Sequence, residues 1–287
     1  MPKKKQKQSQ VIEIPKPILY TAKFLQAISS SLTTKFAAKL FTTPIRHKLP
    51  KRELHMERES VQKSILVPAI NKEVVVYEYG KSDKKVLLVH GWSGRGTQLV
   101  KIADEFLKIG YMTISFDAPA HGKSKGNYSI MTEFIASILE LEKQYGTFEF
   151  AIGHSLGGMS VLNAIKQNLQ VKKAVIIGSG DIIQDIIDDF IHKLQLKPEY
   201  GIKLRDHFEA KFSGKMDDYS AYKAAEKTEV PVLIIHDKDD DDVSVKAAYN
   251  IQKYLKQSEI MITEGLGHRK ILGDEAVINK IKEFLSK

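Results

Sequence analysis

Five short apolar runs, at residues 86–89, 111–116, 148–152, 174–177 and 232–235, limit most sharply what this chain can fold into. A strand with one face in water alternates apolar and polar residues. A strand apolar throughout is buried on both faces, as in a parallel sheet with helices on either side. Segments of helical spacing lie between the runs, around residues 97–109, 130–145, 157–168 and 244–256. Residues 61–67 and 73–79 read as an earlier strand pair with Asn71 and Lys72 near its turn, and a last strand falls around 259–263. Such alternation predicts an α/β fold built on an open, doubly wound and mostly parallel sheet.

The alternation breaks once. Residues 181–229 hold no strand-like run, and Ile183, Ile186, Ile187, Phe190 and Leu194 recur at helical spacing. A small helical insertion is expected there. It begins just beyond the C-terminal end of a strand, where ligands bind in open α/β sheets, so it reads as a lid.

Charge divides the chain differently. Residues 1–60 hold 13 Lys and Arg against 4 Asp and Glu, which is the whole of the net charge of +9. The rest of the chain is balanced at 31 of each sign. Basicity thus belongs to an N-terminal arm, residues 1–60, ahead of a domain at 61–287. Within the arm, Ile18, Ala22, Leu25, Ile28, Leu32, Phe36 and Leu40 predict one amphipathic helix over 18–41, stopped by Pro44. Such a helix either packs on the domain or lies on an anionic membrane surface through residues 1–41; nucleic acid is not an expected partner. No run approaches the roughly 18–20 apolar residues needed to cross a bilayer. Lys3, Lys4 and Lys5 resemble the start of a signal peptide, but Gln6, Gln8 and Gln10 follow where an apolar core is needed. The chain has no cysteine, which excludes disulfides and thiolate metal sites. A cytoplasmic protein is expected, peripheral to the inner membrane surface if the arm binds it.

The sharpest chemical signal is Gly153-His154-Ser155-Leu156-Gly157-Gly158, between a predicted strand and a predicted helix. A G-x-S-x-G in that context is a nucleophile elbow, a turn so tight that residues two before and two after the serine must be small. It lifts the hydroxyl above the sheet beside a helix N-terminus, whose free N–H groups face developing negative charge. A serine hydroxyl needs a base, and the base needs an orienting acid. His268, in the glycine-flexed loop Gly265-Leu266-Gly267-His268 after the last strand, is the expected base. His192 and His207 fall in the insertion, and His236 ends a buried strand. The acid belongs at the end of the 232–235 strand, where Asp237, Asp239, Asp240, Asp241 and Asp242 crowd together. A calcium loop fails there on spacing: its sixth position is Asp242 instead of glycine, and its twelfth is Ala248 instead of glutamate. Expected oxyanion donors are the backbone N–H groups of Leu156 and, in His90-Gly91-Trp92-Ser93-Gly94, of Trp92.

Together these motifs resemble the α/β-hydrolase superfamily from about Val61 to Lys287. His90-Gly91-Trp92 is similar to its oxyanion loop. The segment from Phe116 to Ser124 looks like its D-x-P-G-H-G-x-S turn, with Ala120 where glycine is usual and His121 in a structural place. The segment from Val232 to Ser244 is similar to its acid motif, with Asp237 in place of glycine and Ser244 in place of proline. Counting through that motif assigns the acid to Asp240 and leaves Asp239 as the alternative. The resemblance implies a serine hydrolase acting on a small-molecule ester or thioester through an acyl-enzyme, with no metal or organic cofactor. An amidase or aminopeptidase is the alternative, and a non-enzymatic binding protein of the same fold a more distant one.

Overall fold

Eight strands join in one sheet in the order β1-β2-β4-β3-β5-β6-β7-β8. They are β1 (Val61–Val67), β2 (Lys72–Tyr79), β3 (Lys85–Val89), β4 (Met112–Asp117), β5 (Phe150–His154), β6 (Lys173–Ile177), β7 (Val232–Asp237) and β8 (Ser258–Thr263). The computed structural model describes residues 14–287. Strands β1, β2 and β4 pair antiparallel, and every pairing from β4 through β3 to β8 is parallel. Asn71, in the left-handed conformation, turns β1 into β2.

The apolar runs are buried on both faces. Leu87, Val89, Ile176 and Ile234 point into one core cluster, while Val86, Leu88, Val175 and Ile235 point into a second. Before the sheet come α1 (Lys16–Ile28), α2 (Ser30–Phe41) and α3 (Leu54–Glu59). Crossover helices α4 (Val100–Lys108), α5 (Met131–Tyr145) and α6 (Leu156–Lys166) follow β3, β4 and β5. The insertion after β6 consists of α7 (Ile183–Lys193), α8 (Glu199–Phe212) and α9 (Ala221–Ala225). Last come α10 (Lys246–Tyr254), α11 (Gly267–Lys270) and α12 (Glu275–Ser286). Helices α5, α6 and α10 cover the first face, and α4 and α12 the second.

Register ranks the strand ends. Val89 lies opposite Gly153, His154 opposite Ile177, Ile177 opposite Ile235, and Asp237 opposite Thr263. The loops holding Trp92, Ser155, Asp240 and His268 therefore leave the sheet at one edge. Between β3 and β5 the connections diverge to opposite sides, which is the switch point where open α/β sheets form their crevice.

The arm departs from the single helix that its periodicity predicts. Ser29 is extended (φ −154°, ψ 120°) and divides α1 from α2, accepting a capping hydrogen bond from the Leu32 N–H. The break resets the helical phase. Ile18, Ala22 and Leu25 face the domain, but α2 buries Thr33, Thr34, Ala37 and Ala38, leaving Ile28 and Leu32 in solvent. Residues 1–13, which carry Lys3 to Lys5 and the start of the expected membrane segment, lie outside the described residues.

Helix α6 rests directly on the strand ends beneath it. A methyl group on Gly157 would overlap the carbonyl oxygens of Val89 and His90, which are backbone atoms with no rotamer to yield. Gly157→Ala is therefore expected to destabilise the fold by about 1–3 kcal/mol, read as a lower urea midpoint with an unchanged slope.

Candidate active site

Ser155 stands between β5 and α6 with φ 53° and ψ −122°. A side chain in this region of backbone space is strained by about 1–3 kcal/mol. The surroundings hold it there: the Ser155 N–H donates to the Ile177 carbonyl at 2.8 Å, and the Ser155 carbonyl accepts from Gly158 and Met159. Leu156 is the first residue of α6, so its N–H has no acceptor within the helix.

The loop after β3 approaches this turn closely. A methyl group on Gly91 would lie 2.9 Å from Ser155 Cβ and 3.0 Å from His154 Nδ1. The Gly91–Trp92 peptide is therefore in contact with the elbow. His90 braces it from behind: its Nδ1–H donates to the Gly91 carbonyl at 2.7 Å, and its Nε2 accepts from the Ala118 N–H at 3.0 Å. Burial pushes the His90 imidazole well below its ordinary range, so it stays neutral in this bridge. Trp92 packs edge-on against His121, whose Nδ1–H donates to the Pro119 carbonyl. Burial brings the His121 pKa down to about 4.

His268 is the second residue of α11 and is buried. Its Nδ1–H donates to Asp240 Oδ2 at 2.7 Å. That bond fixes the tautomer and leaves Nε2 with its lone pair. The other oxygen of Asp240 accepts from the N–H groups of Asp242 at 2.9 Å and Val243 at 2.8 Å, so neither carboxylate oxygen is left for bulk water. Burial alone would raise the Asp240 pKa. The hydrogen bond and charge of His268, with the Val243 N–H, outweigh it and hold the group below the ordinary aspartate value. Asp239 is turned elsewhere: it is exposed, and its carboxylate accepts from the Gly265 N–H at 2.9 Å, across the loops.

Sequence reasoning passed over three residues that the structure draws into this constellation. His154, the variable residue of the elbow, donates through Nε2–H to the His268 carbonyl at 2.9 Å, and the two rings lie 4.6 Å apart. It joins the Ser155 turn to the His268 loop, and burial keeps it neutral. His236 donates to the Val243 carbonyl at 2.9 Å and lies 3.5 Å from Asp240 Oδ2. Asp237 accepts from Asp239 N–H, Thr263 Oγ1 and Leu266 N–H at 2.7–3.0 Å, and also from Gly267 N–H. One buried carboxylate thus pins the acid loop to the histidine loop. Those donors overcome the effect of burial and lower its pKa. Replacement of the family's usual glycine by Asp237 was the available signal.

Ser155, His154, Leu156, Trp92, Asp240 and His268 all line one cavity of about 1410 Å³. Its walls include Phe190, Phe208 and Phe212 from the lid, and Leu40, Phe41 and Thr42 from the arm. Phe41 meets Phe190 edge-on at 5.1 Å and Phe208 at 5.8 Å. Asp181 closes the lid's base, accepting from Asn250 and from the Tyr222 N–H, while its carbonyl accepts from Ala221.

Two family models match the sequence. One, described as serine aminopeptidase, S33, covers residues 80–197, and one described as TAP-like protein covers residues 215–287. No curated protein matches the sequence. Among solved structures, an esterase of Pyrococcus furiosus superposes with a TM-score of 0.65 at 20% identity, over 85% of this chain and 97% of that one. A putative lipase of Acinetobacter baumannii gives 0.62 at 20% identity, over 84% and 97%. A structure described as a membrane phospholipase A, a bacterial virulence factor, gives 0.61 at 17% identity, over 95% and 98%. Sheet order and the structural likenesses agree that the chain has the α/β-hydrolase fold, and both hydrolase-type family matches fall within it.

Proposed function

We propose that this protein is a serine hydrolase cleaving a carboxylic ester or thioester, with Ser155 as nucleophile, His268 as general base and Asp240 as its orienting acid. The observation that carries the reading is the His268 Nδ1–H···Asp240 bond at 2.7 Å in a cavity that the strained Ser155 also lines. Ser155 Oγ attacks the acyl carbon while His268 Nε2 takes its proton. The tetrahedral oxyanion is met by the N–H groups of Leu156 and Trp92. Collapse expels the alcohol or thiol, protonated by His268, and leaves an acyl-Ser155 ester. Water, deprotonated by the same imidazole, then releases the acid. None of these steps calls on a cofactor.

The apolar walls fit an acyl chain. Phe41, Phe190 and Phe208 offer carbon surface with no charge to neutralise, which suits a hydrocarbon tail better than a polar one. The match to the membrane phospholipase A reaches into the arm, which is compatible with a lipid-derived substrate here. An amidase or aminopeptidase uses the same triad, and the description of the first family model names that activity. Esters are favoured because the similar solved structures are described as an esterase and a putative lipase, and an ester expels a better leaving group than an amide. A cytoplasmic enzyme that meets its substrate at the inner membrane surface belongs to the same proposal.

Four measurements test it. A fluorophosphonate probe is expected to label the protein but not Ser155→Ala, and labelling of both sinks the assignment. Asp240→Asn should lower kcat by about 10³–10⁴-fold, as loss of the correct imidazole tautomer does in other triads, whereas Asp239→Asn should cost no more than about tenfold. Phe41→Ala should lower kcat/KM for a p-nitrophenyl dodecanoate by about tenfold or more, while sparing the acetate. Asp237 titrates below its unfolded value, so its stabilisation is full above about pH 5 and is lost as pH falls through the folded pKa. The urea midpoint of Asp237→Asn should accordingly lie below that of the wild type at neutral pH, and the gap should close as pH falls through the lowered folded pKa.

A further inference from the structure

Helix α1 is apolar on two opposite sides. Ile18, Ala22 and Leu25 face the domain, and the other side carries Tyr20, Phe24 and Ile28, continued past the Ser29 break by Leu32. These four side chains, spaced four residues apart, are 69%, 65%, 60% and 49% exposed. Single exposed apolar residues are ordinary on a protein surface, but three at four-residue spacing on one face of α1, with a fourth exposed just past the break, mark an interaction face. Exposed lysines accompany it: Lys16 and Lys23 on α1, Lys35 and Lys39 on α2. Residues 1–41 hold eight lysines against one acidic residue, Glu13, whereas the chain beyond residue 60 is neutral.

We propose that this row docks on an anionic phospholipid bilayer. The charge pattern selects that occupant. A face for a second copy of the chain would set these lysines against the same lysines, while an acidic headgroup layer neutralises them. The 13 residues of α1 are too few to cross a bilayer, and no described helix is long and apolar enough to do so. The arm instead lies in the interface, with Tyr20, Phe24, Ile28 and Leu32 entering the acyl boundary and the lysines at headgroup level. The docked unit is tied to the lid, because Gln26 accepts from the Lys197 N–H at 2.8 Å and Phe41 packs on Phe190 and Phe208. A bilayer-seated arm therefore holds the cavity at the membrane surface.

The test is co-sedimentation of the full-length protein with vesicles of phosphatidylcholine alone, or with about 30% phosphatidylglycerol. Binding to the anionic vesicles is expected, with little to the neutral ones, and it should fall when NaCl is raised to about 0.5 M. Phe24→Ser/Ile28→Ser should lower the bound fraction by at least about tenfold, and Lys16→Gln/Lys23→Gln should weaken it severalfold. Both pairs face solvent, so thermal unfolding and turnover of p-nitrophenyl acetate should match the wild type. That soluble-substrate readout separates failure of the docking surface from failure of the hydrolase assignment. The proposal is overturned if the wild type ignores anionic vesicles, or if Phe24→Ser/Ile28→Ser binds them as tightly as the wild type does. It is equally overturned if that variant turns a dimer into a monomer in sedimentation velocity while vesicle binding is unchanged.

Discussion

The left-handed backbone at Ser155 is the constraint on which the rest of the site depends. Placing a non-glycine residue at φ 53° opposes the intrinsic preference of the chain, and only tertiary structure can hold it there. Three features do so together. Gly153 and Gly157 let the turn close, the Ile177 carbonyl takes the Ser155 N–H, and α6 packs against the ends of β3 and β5. A helix started so abruptly presents uncapped N–H groups beside the hydroxyl. The strain is therefore part of how a serine and an anion-binding helix end come to share one point.

The partners of Ser155 are held by polar ties more than by packing. His154 reaches from the elbow to the His268 carbonyl, and Asp237 gathers N–H groups from both neighbouring loops. Asp240 is saturated by two backbone donors and one imidazole. The bonds from His154 to His268, from Asp240 to His268 and from Asp237 to Leu266 join segments distant in sequence, so they tie together loops that would otherwise fluctuate. Aligned strand register sets the coarse placement, and these ties set the fine one.

Much of this was legible in the residues. Uninterrupted apolar runs mark strands buried on both faces, because no other arrangement removes both sides of a strand from water. The serine between its glycines stands out because few other residues satisfy so tight a turn. His268 and the 181–229 insertion follow from their positions after strands. The arm was less legible. Periodicity alone cannot foresee the break at Ser29, since a serine within a helical pattern is tolerated as readily as it caps. Nor does it indicate that Phe41 enters the cavity, because that contact depends on where α7 and α8 lie. Asp237 was visible as a residue type but not as a partner, since hydrogen bonds across 26–29 residues leave no spacing rule. Ala120 is instructive in another way. It stands where glycine is usual in the resembling turn and adopts φ 65°, a conformation that glycine takes more readily.

Because Leu40, Phe41 and Thr42 form part of the cavity wall, the segment preceding the first strand is a component of the binding chamber. This part of the cavity wall and the proposed docking row thus share one stretch of polypeptide, separate in the chain from the strand-end loops that hold Ser155, Asp240 and His268. Divergence in that stretch can retune what is taken in, and where, while the reaction itself stays unaltered. For the same reason, trimming the chain back to its sheet would leave Ser155, Asp240 and His268 facing a chamber with one side missing.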